Sequence, residues 1–445
     1  MHRRILPLGL AVLLVSIGSM AHAQDSLERG LLRQAPMLIK RFQEKNYKNV
    51  GVLKFLAAHE GDAKANDKIG TLNMLAARRL EVALILENDP RNPVGIISNA
   101  SEVAQKIKGA SHLDKKTREE FFKSQYPLAW GNQTVQPDAF VTGFTVISKD
   151  LRTLKVSLLS FDRVGNKLEP LGEDFQVANA GDRLSEMGES FVLRGAFDDG
   201  NPEVVQAKKQ EKVFQQAVHV REEQAKHPVQ EPDCPVTLDV LYDGNKIPLE
   251  FKNGKAHIAE PREGQTVEFG LSRDQTKNRY GVVLKVNGEN TLDKQRLPDV
   301  SCRKWILDPG TGPWRIGGFQ IGNNIREKFR VASVAESQQR AINYGHDVGT
   351  ITLTVFREQT TKIKPKLVED REQYENIVKK LTQLPDRPMN HGALLAQLLD
   401  DANRDISRSG GLIVEGTREK SEVRIVGFVT DPTPVMCVTI VYYRK

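Results

Sequence analysis

His346 and Asp347 stand side by side in YGHDVGT, and an imidazole oriented by a carboxylate is the base half of a nucleophilic triad. Neighbours in sequence serve one nucleophile only where the fold aims both at it, so a loop before a strand is the competing reading. The stretch FDDGN, residues 197–201, offers oxygen ligands without the alternating spacing of a calcium loop, and reads as a turn. The densest glycine run is PGTGPWRIGGFQIGNN, residues 309–324. A phosphate loop needs successive backbone N–H donors beside a lysine or a helix N-terminus. Pro313 removes one donor and Trp314 opens strand-like sequence, so turns around a strand fit better. There is no H-E-x-x-H, no G-x-S-x-G and no P-loop in the chain. His391 follows Asn390 and reads as a first-turn residue of a helix capped by that asparagine.

Three cysteines are present: Cys234, Cys302 and Cys437. Their spacing fits no zinc motif. Cys234 and Cys302 flank one β region and are the pair an oxidising compartment would bridge, with two unrelated free thiols as the alternative. Cys437 lies inside VMCVTIVYY and reads as a small buried hydrophobe. Trp305 and Trp314 flank a turn, with Arg303 and Arg315 beside them. Such a group suits a partner-binding or sugar-stacking surface, and two core tryptophans are the plainer reading.

These residues must be positioned by a chain that opens MHRRILPLGLAVLLVSIGSMAHAQ. Arg3 and Arg4, the apolar run Ile5–Gly18 and Ala21-His22-Ala23 are the three parts of a signal peptide, with cleavage expected between Ala23 and Gln24. The run falls short of the roughly 20 apolar residues of a membrane span. No cysteine follows it to carry a lipid. The expectation is a periplasmic or secreted protein with no transmembrane segment after cleavage. The formal charge of +7 becomes +5 without Arg3 and Arg4, and the charges are mixed along the chain. That pattern and export both argue against a nucleic-acid partner. No cofactor is implied.

The fold class expected is α+β. Residues 24–197 alternate helix and strand patterns, with YKNVGVLKFLA and NPVGIIS as short buried strands. A helix from Asp67 to Asn88 between them carries Ile69, Leu72, Ala76, Leu80 and Ala83 as one apolar stripe. Pro36 predicts a break or late start in the first helix. The stretch PDAFVTGFTVISKDLRTLKVSLLSFD, residues 137–162, reads as strand, turn, strand, and its first strand is apolar on both faces, as for a covered sheet. Residues 198–232 read as a charged helical linker. From 233 to 445 short strands divided by Asp-Gly, Asn-Gly and Pro-Gly turns indicate a β-sandwich, with a helical insertion at 366–406 and SEVRIVGFVT and VMCVTIVYY as closing strands.

Val50–Phe55 and Asp138–Val146 match, in order and setting, a "VAVLxF"-like strand followed later by a "DYxVTGxV"-like strand. On these residues the stretch from about 47 to 195 resembles the CsgG/FlgO-like envelope α/β domain. The resemblance implies an envelope protein that assembles with itself or with partner envelope proteins, without catalysis. It does not imply a pore, because the lipid-anchoring cysteine and lipid-facing hairpins are missing. The C-terminal half resembles accessory β-sandwich domains found beside caspase-like and kinase proteins in bacteria. The function expected is therefore that of an exported, non-catalytic interaction or assembly protein, possible as a homo-oligomer. The alternatives are a secreted hydrolase using His346 and Asp347, and a carbohydrate- or cell-wall-binding protein using Trp305, Trp314 and Arg315.

Overall fold

The computed structural model describes residues 25–62, 69–107, 111–112, 114–165, 167–195, 202–252, 254–333, 349–359, 370–380, 389–402 and 418–442. The expected leader, FDDGN and the His346–Asp347 pair lie outside the described residues.

Helix α1 (Leu27–Glu44) begins at Ser26, whose hydroxyl accepts from the Arg29 N–H at 3.1 Å. Pro36 sits inside the helix and does not end it, contrary to the break expected there. Leu31, Leu32 and Ala35 before it, and Leu38, Ile39 and Phe42 after it, are all buried. Burial of about 1.5–3 kcal/mol per large side chain outweighs the roughly 3 kcal/mol that an interior proline costs.

Strands β1 (Asn49–Val52) and β2 (Leu56–His59) run in line, with β3 (Gly95–Ile97) parallel to β1. The hairpin β4 (Tyr126–Pro127) and β5 (Thr134–Val135) reaches the outer edge of β3 through an Ile97–Leu128 bridge. Both β1 and β2 pair in parallel with the long central strand β6 (Ala139–Ile147). The Asp138 carboxylate fixes that register, accepting from the Lys48 and Asn49 N–H groups at 2.7 and 2.9 Å. Antiparallel β7 (Thr153–Asp162) follows, with β8 (Glu169–Pro170) and β9 (Phe175–Ala178) on its far side.

The central strand is covered on both faces. Val141 and Ile147 join the core beneath the helices. Phe140 meets Phe121, Phe122, Tyr126 and Phe161 on the opposite face, with ring centroids 5.2–5.8 Å apart. Gly143 is glycine because Phe55 crosses the strand there. A Cβ would lie 2.2 Å from the Phe55 ring.

Helix α2 (Leu72–Leu86) was expected to show one apolar stripe, yet every residue in it except Met74 is buried. The reason lies beyond the N-terminal half. Short α3 (Ala100–Ala104), α4 (Arg183–Glu186) and the longer α5 (Pro202–Arg221) come next. Then α6 (Asp370–Lys380) and α7 (His391–Ala402), from the segment expected to interrupt the sandwich, pack on α2 as a second helical layer. Asn390 caps α7, accepting from the Ala393 N–H at 2.9 Å, and His391 Nε2 lies 2.9 Å from the Ile85 carbonyl oxygen.

Burying α2 on all sides also buries its charges. Arg79 is 1% exposed and its guanidinium meets Glu28 of α1 at 2.8 Å and Glu186 of α4 at 2.6 Å. Arg183 closes the group on Glu28 at 2.7 Å. Burial alone would raise the Glu28 pKa, but Arg183 and then Arg79 hold it down at about 2.

In the C-terminal half, β10 (Phe191–Val192) leads into β11 (Val236–Tyr242), β12 (Asn245–Lys246), β13 (Glu250–Lys252), β14 (Lys255–His257), β15 (Val267–Arg273), β16 (Tyr280–Val286) and β17 (Glu289–Asn290). There follow β18 (Trp305–Leu307), β19 (Trp314–Ile316), β20 (Gly318–Ile321), β21 (Ile325–Lys328), β22 (Thr350–Arg357), β23 (Arg418–Lys420) and β24 (Met436–Val441). They form a large sheet, β13-β14-β24-β22-β16-β17, with β10 beside β24 and β18 beside β16. A smaller sheet, β12-β11-β15-β19, shares its core, and β20-β21-β23 makes a third. SEVRIVGFVT was expected as a strand; regular pairing there stops at Lys420. The whole is an α+β fold.

The expected linker helix α5 is not a solvated spacer. Its Val213, Phe214, Ala217 and Val220 are buried, and Lys209 reaches Asp431 at 2.6 Å.

Arg79→Ala should leave Glu28 and Glu186 short of a counter-charge in a dry site and cost about 3–5 kcal/mol, read from the denaturant midpoint. The Glu28 pKa is lowered on folding, so its stabilisation is complete above about pH 4.5 and lost as pH falls toward about 2. Acid titration of stability should show that loss, and Glu28→Gln should flatten it.

Candidate functional site

The structure places the tryptophans in two different sheets. Trp305 lies on β18 of the large sheet, where its Nε1–H donates to Thr291 Oγ1 at 2.9 Å. Trp314 lies on β19 at the edge of the smaller sheet. Both rings are half-buried against the core. Trp314 folds back over Gly312, where a Cβ would come within 2.5 Å of the ring. Arg315 points to solvent, while Arg303 pairs with Asp293. What the sequence suggested as one flat surface is thus divided.

The cysteine pairing fails. Cys234, Cys302 and Cys437 are all free and buried, so no Cys234–Cys302 bridge exists. Cys234 sits before β11, in the core of the sandwich, with Val236. Cys302 packs with Val283 and Phe356 in a separate small cluster. Burial pushes all three thiols up in pKa, away from the thiolate.

Two buried polar groups lie where the halves meet. Lys285 of β16 contacts Asp299 at 2.5 Å and donates to the Leu297 carbonyl at 2.6 Å. Asp299 also accepts from Thr354 at 2.5 Å, and although burial opposes it, Lys285, Thr354 and Ser185 keep the carboxyl below its usual range. In the second group Arg221 of α5 contacts His59 of β2, and Glu189 lies 3.6 Å from Arg221. Burial, and then Arg221, press the His59 pKa down to about 4. Burial raises that of Glu189 over the opposing pull of Arg221 and Lys255. A neutral imidazole and a shielded carboxyl are chemically interesting, but each is tied to groups from another element. Their arrangement serves as a clasp.

An open arrangement occurs at the C-terminal end of α1. There Arg41, Lys45, Tyr47, Asp162, Lys167, Glu169 and Leu171 are among the residues lining a cleft of about 230 Å³. The Tyr47 hydroxyl donates to Asp162 Oδ2 at 2.5 Å, while Gly165 N–H donates to Oδ1 at 2.6 Å and Val164 N–H at 3.1 Å. Burial raises the Asp162 pKa less than these donors and Lys45 lower it, so the carboxylate stays charged. Burial and Asp162 push the Tyr47 phenol up, so it remains a donor. This bond ties the turn after β7 to the end of α1. The turn carries Val164 outward, 96% exposed, and Met37 of α1 is exposed nearby along the helix. Arg41, Lys45 and Lys167 enter none of the ion pairs formed among the described residues. Arg41 and Lys45 also favour the negative end of α1, which is their structural use.

Sequence reasoning did not find this cleft. Tyr47 and Asp162 are 115 residues apart, and nothing local announces their meeting. Among the described residues no group of His, Cys, Asp and Glu could hold a metal ion, and no helix is long and apolar enough to cross a membrane.

No family model and no curated protein matches the chain. The chain is similar to a solved structure, the LpoB C-terminal domain from Salmonella enterica. The match has 13% identity over 33% of this chain and 94% of that one, with a TM-score of 0.21.

Because the thiols are buried and unpaired, an aromatic disulfide reagent should react slowly with the native protein. It should titrate three thiols after denaturation without reductant. Only one thiol released under those conditions would show that a bridge forms.

Proposed function

We propose that this chain is an exported, non-catalytic envelope protein that binds another envelope protein at the cleft beyond α1. The observation that carries the reading is the combination at that cleft. Val164 is presented to solvent by a turn locked through Asp162, beside Arg41, Lys45 and Lys167, which outnumber the cleft's carboxylates, Asp162 and Glu169, and form no ion pair within 4 Å among the described residues. An exposed apolar tip rimmed by cations suits a partner segment with an apolar anchor and acidic flanks. The turn is held before binding, so little ordering entropy is lost on docking. The resemblance of Val50–Phe55 and Asp138–Val146 to the CsgG/FlgO-like domain supports the same class of function, since it implies assembly rather than catalysis.

The test is affinity capture from a solubilised envelope fraction by the immobilised full-length protein. Val164→Asp and the double change Arg41→Glu with Lys45→Glu should each reduce the captured partner about tenfold, and rising salt should weaken capture by the wild type. Undiminished capture by both variants would place the docking surface elsewhere.

A further inference from the structure

The segment SEVRIVGFVT, residues 421–430, is strand-like in sequence and follows β23 directly, without regular pairing of its own before an isolated Glu358–Thr430 bridge. Four of its odd-numbered residues, Ser421, Val423, Gly427 and Val429, turn their backbone toward the body of the protein. Ser421 and Val423 N–H donate to the Asn324 and Asn323 carbonyls at 3.0 and 2.9 Å. The Gly427 carbonyl accepts from Arg279 at 3.3 Å and that of Val429 from Gln359 N–H at 2.7 Å. The even-numbered residues therefore face outward, because alternate residues of a strand point their N–H and C=O to opposite sides. Among the described residues no hydrogen bond involves the backbone of Glu422, Arg424, Val426 or Phe428. β23 itself is the outer strand of β20-β21-β23. Together they make one edge, from Arg418 to Phe428, that pairs with nothing among the described residues.

Such an edge is a template for another strand, and proteins usually guard it with charge. Here Arg418, Lys420, Glu422 and Arg424 guard the first half only. The second half exposes Ile425 at 67% and Val429 at 61%.

We infer that this edge pairs with the same edge of a second copy, antiparallel about a two-fold axis at Val423. The register is chosen by parity and charge complementarity, since axes at Ile425 or Val426 oppose no like charges but bring no opposite charges together either. Outward-facing residues must oppose one another, so a homotypic pairing sets even-numbered residues against even-numbered ones. A two-fold at Ser421 would oppose Arg418 to Arg424, one at Glu422 would oppose Glu422 to itself, and one at Arg424 would oppose Arg424 to itself. Each of these sets like charges directly opposite. A two-fold at Val423 instead opposes Glu422 to Arg424 twice, Lys420 to Val426 and Arg418 to Phe428. It also places the two Val423 side chains against each other, a favourable β-branched pair. Glu422 already lies 2.9 Å from Lys420, but both are exposed, and such a pair holds little against a partner across a strand. This surface is separate from the cleft beyond α1.

At the two-fold Val423 occupies a non-hydrogen-bonded site, where facing Cα atoms are about 4.5 Å apart, within disulfide range. The native thiols are buried and will not compete. Mild oxidation of the full-length Val423→Cys protein should give a covalent dimer on non-reducing gels, and Ile425→Cys, which would face Ser421, should not. In sedimentation velocity, Glu422→Arg and Arg424→Glu should each weaken the wild-type dimer about tenfold, and the two together should restore it. Far-UV circular dichroism verifies that each variant folds. Absence of a Val423→Cys dimer, equal crosslinking at Ile425→Cys, or no restoration by the double swap would overturn the proposal. A folded wild type that stays monomeric yet takes up an extended peptide at this edge would overturn it as well, and would assign the edge to a different chain.

Discussion

Four buried charges hold this structure together: Glu28 on α1, Arg79 on α2, and Arg183 and Glu186 on α4. None can return to water without separating those helices. Desolvating an ion costs several kcal/mol, and the cost is recovered only if every partner is in place. α4 is the element that depends on this most. A four-residue helix has no stability of its own, since nucleation uses up what so few hydrogen bonds return. It exists because Arg183 and Glu186 are both held. It then contributes to the next junction, for just beyond it the Ser190 hydroxyl accepts from the Thr439 N–H of β24 at 3.1 Å. The ion group is therefore coupled, through one turn of helix, to the central strand of the other half.

That coupling is repeated in both directions. The N-terminal half gives β10 to the large sheet, Phe191 opposite Cys437 and Val192 opposite Met436. The C-terminal half gives α6 and α7 to the helical layer, where Glu375 accepts from Ser26 and Arg29, and Lys379 lies 3.4 Å from Asp182. Leu80 and Val141 on one side, and Leu284 and Val438 on the other, belong to one contiguous buried cluster. Halves that exchange elements and share a core do not swing as beads on a linker, which is the default only for small polar interfaces.

The parts legible in the sequence were those decided locally. The two-faced apolar pattern of Ala139–Ile147 predicts a strand covered on both sides, and Phe140 and Val141 are buried in opposite clusters. The asparagine before His391 predicts a cap, and one forms. What was not legible was decided by distant contacts. Arg78 and Arg79 lie off the apolar stripe of α2, and no local pattern reveals that Glu102 of α3 will meet the first and Glu28 of α1 and Glu186 of α4 the second. Charged α5 looked like a spacer because Asp431, which receives Lys209, lies 222 residues further on. The cleft needs Tyr47 and Asp162 together, and only the sheet order brings them there. The shortfall in each case is of long-range information, not of local propensity.

The cysteines show how these levels combine. Export would expose the chain to oxidants, and Cys234 with Cys302 looked like a bridge on that ground and because they flank one β region. Bridges are needed chiefly where a small domain cannot bury enough apolar surface, and a chain of 445 residues with a continuous core is under no such pressure. The remaining hazard is unwanted oxidation, which requires a thiolate and access. Here the same burial answers both requirements. It closes the approach to each sulfur and raises each pKa; at Cys437, Thr354 lies 3.7 Å from the Sγ and β10 and β22 flank the strand. The element exchange that places β10 against Cys437 thus also helps to bury that thiol. A fold whose two halves are clasped this closely has no need of a covalent tie between them.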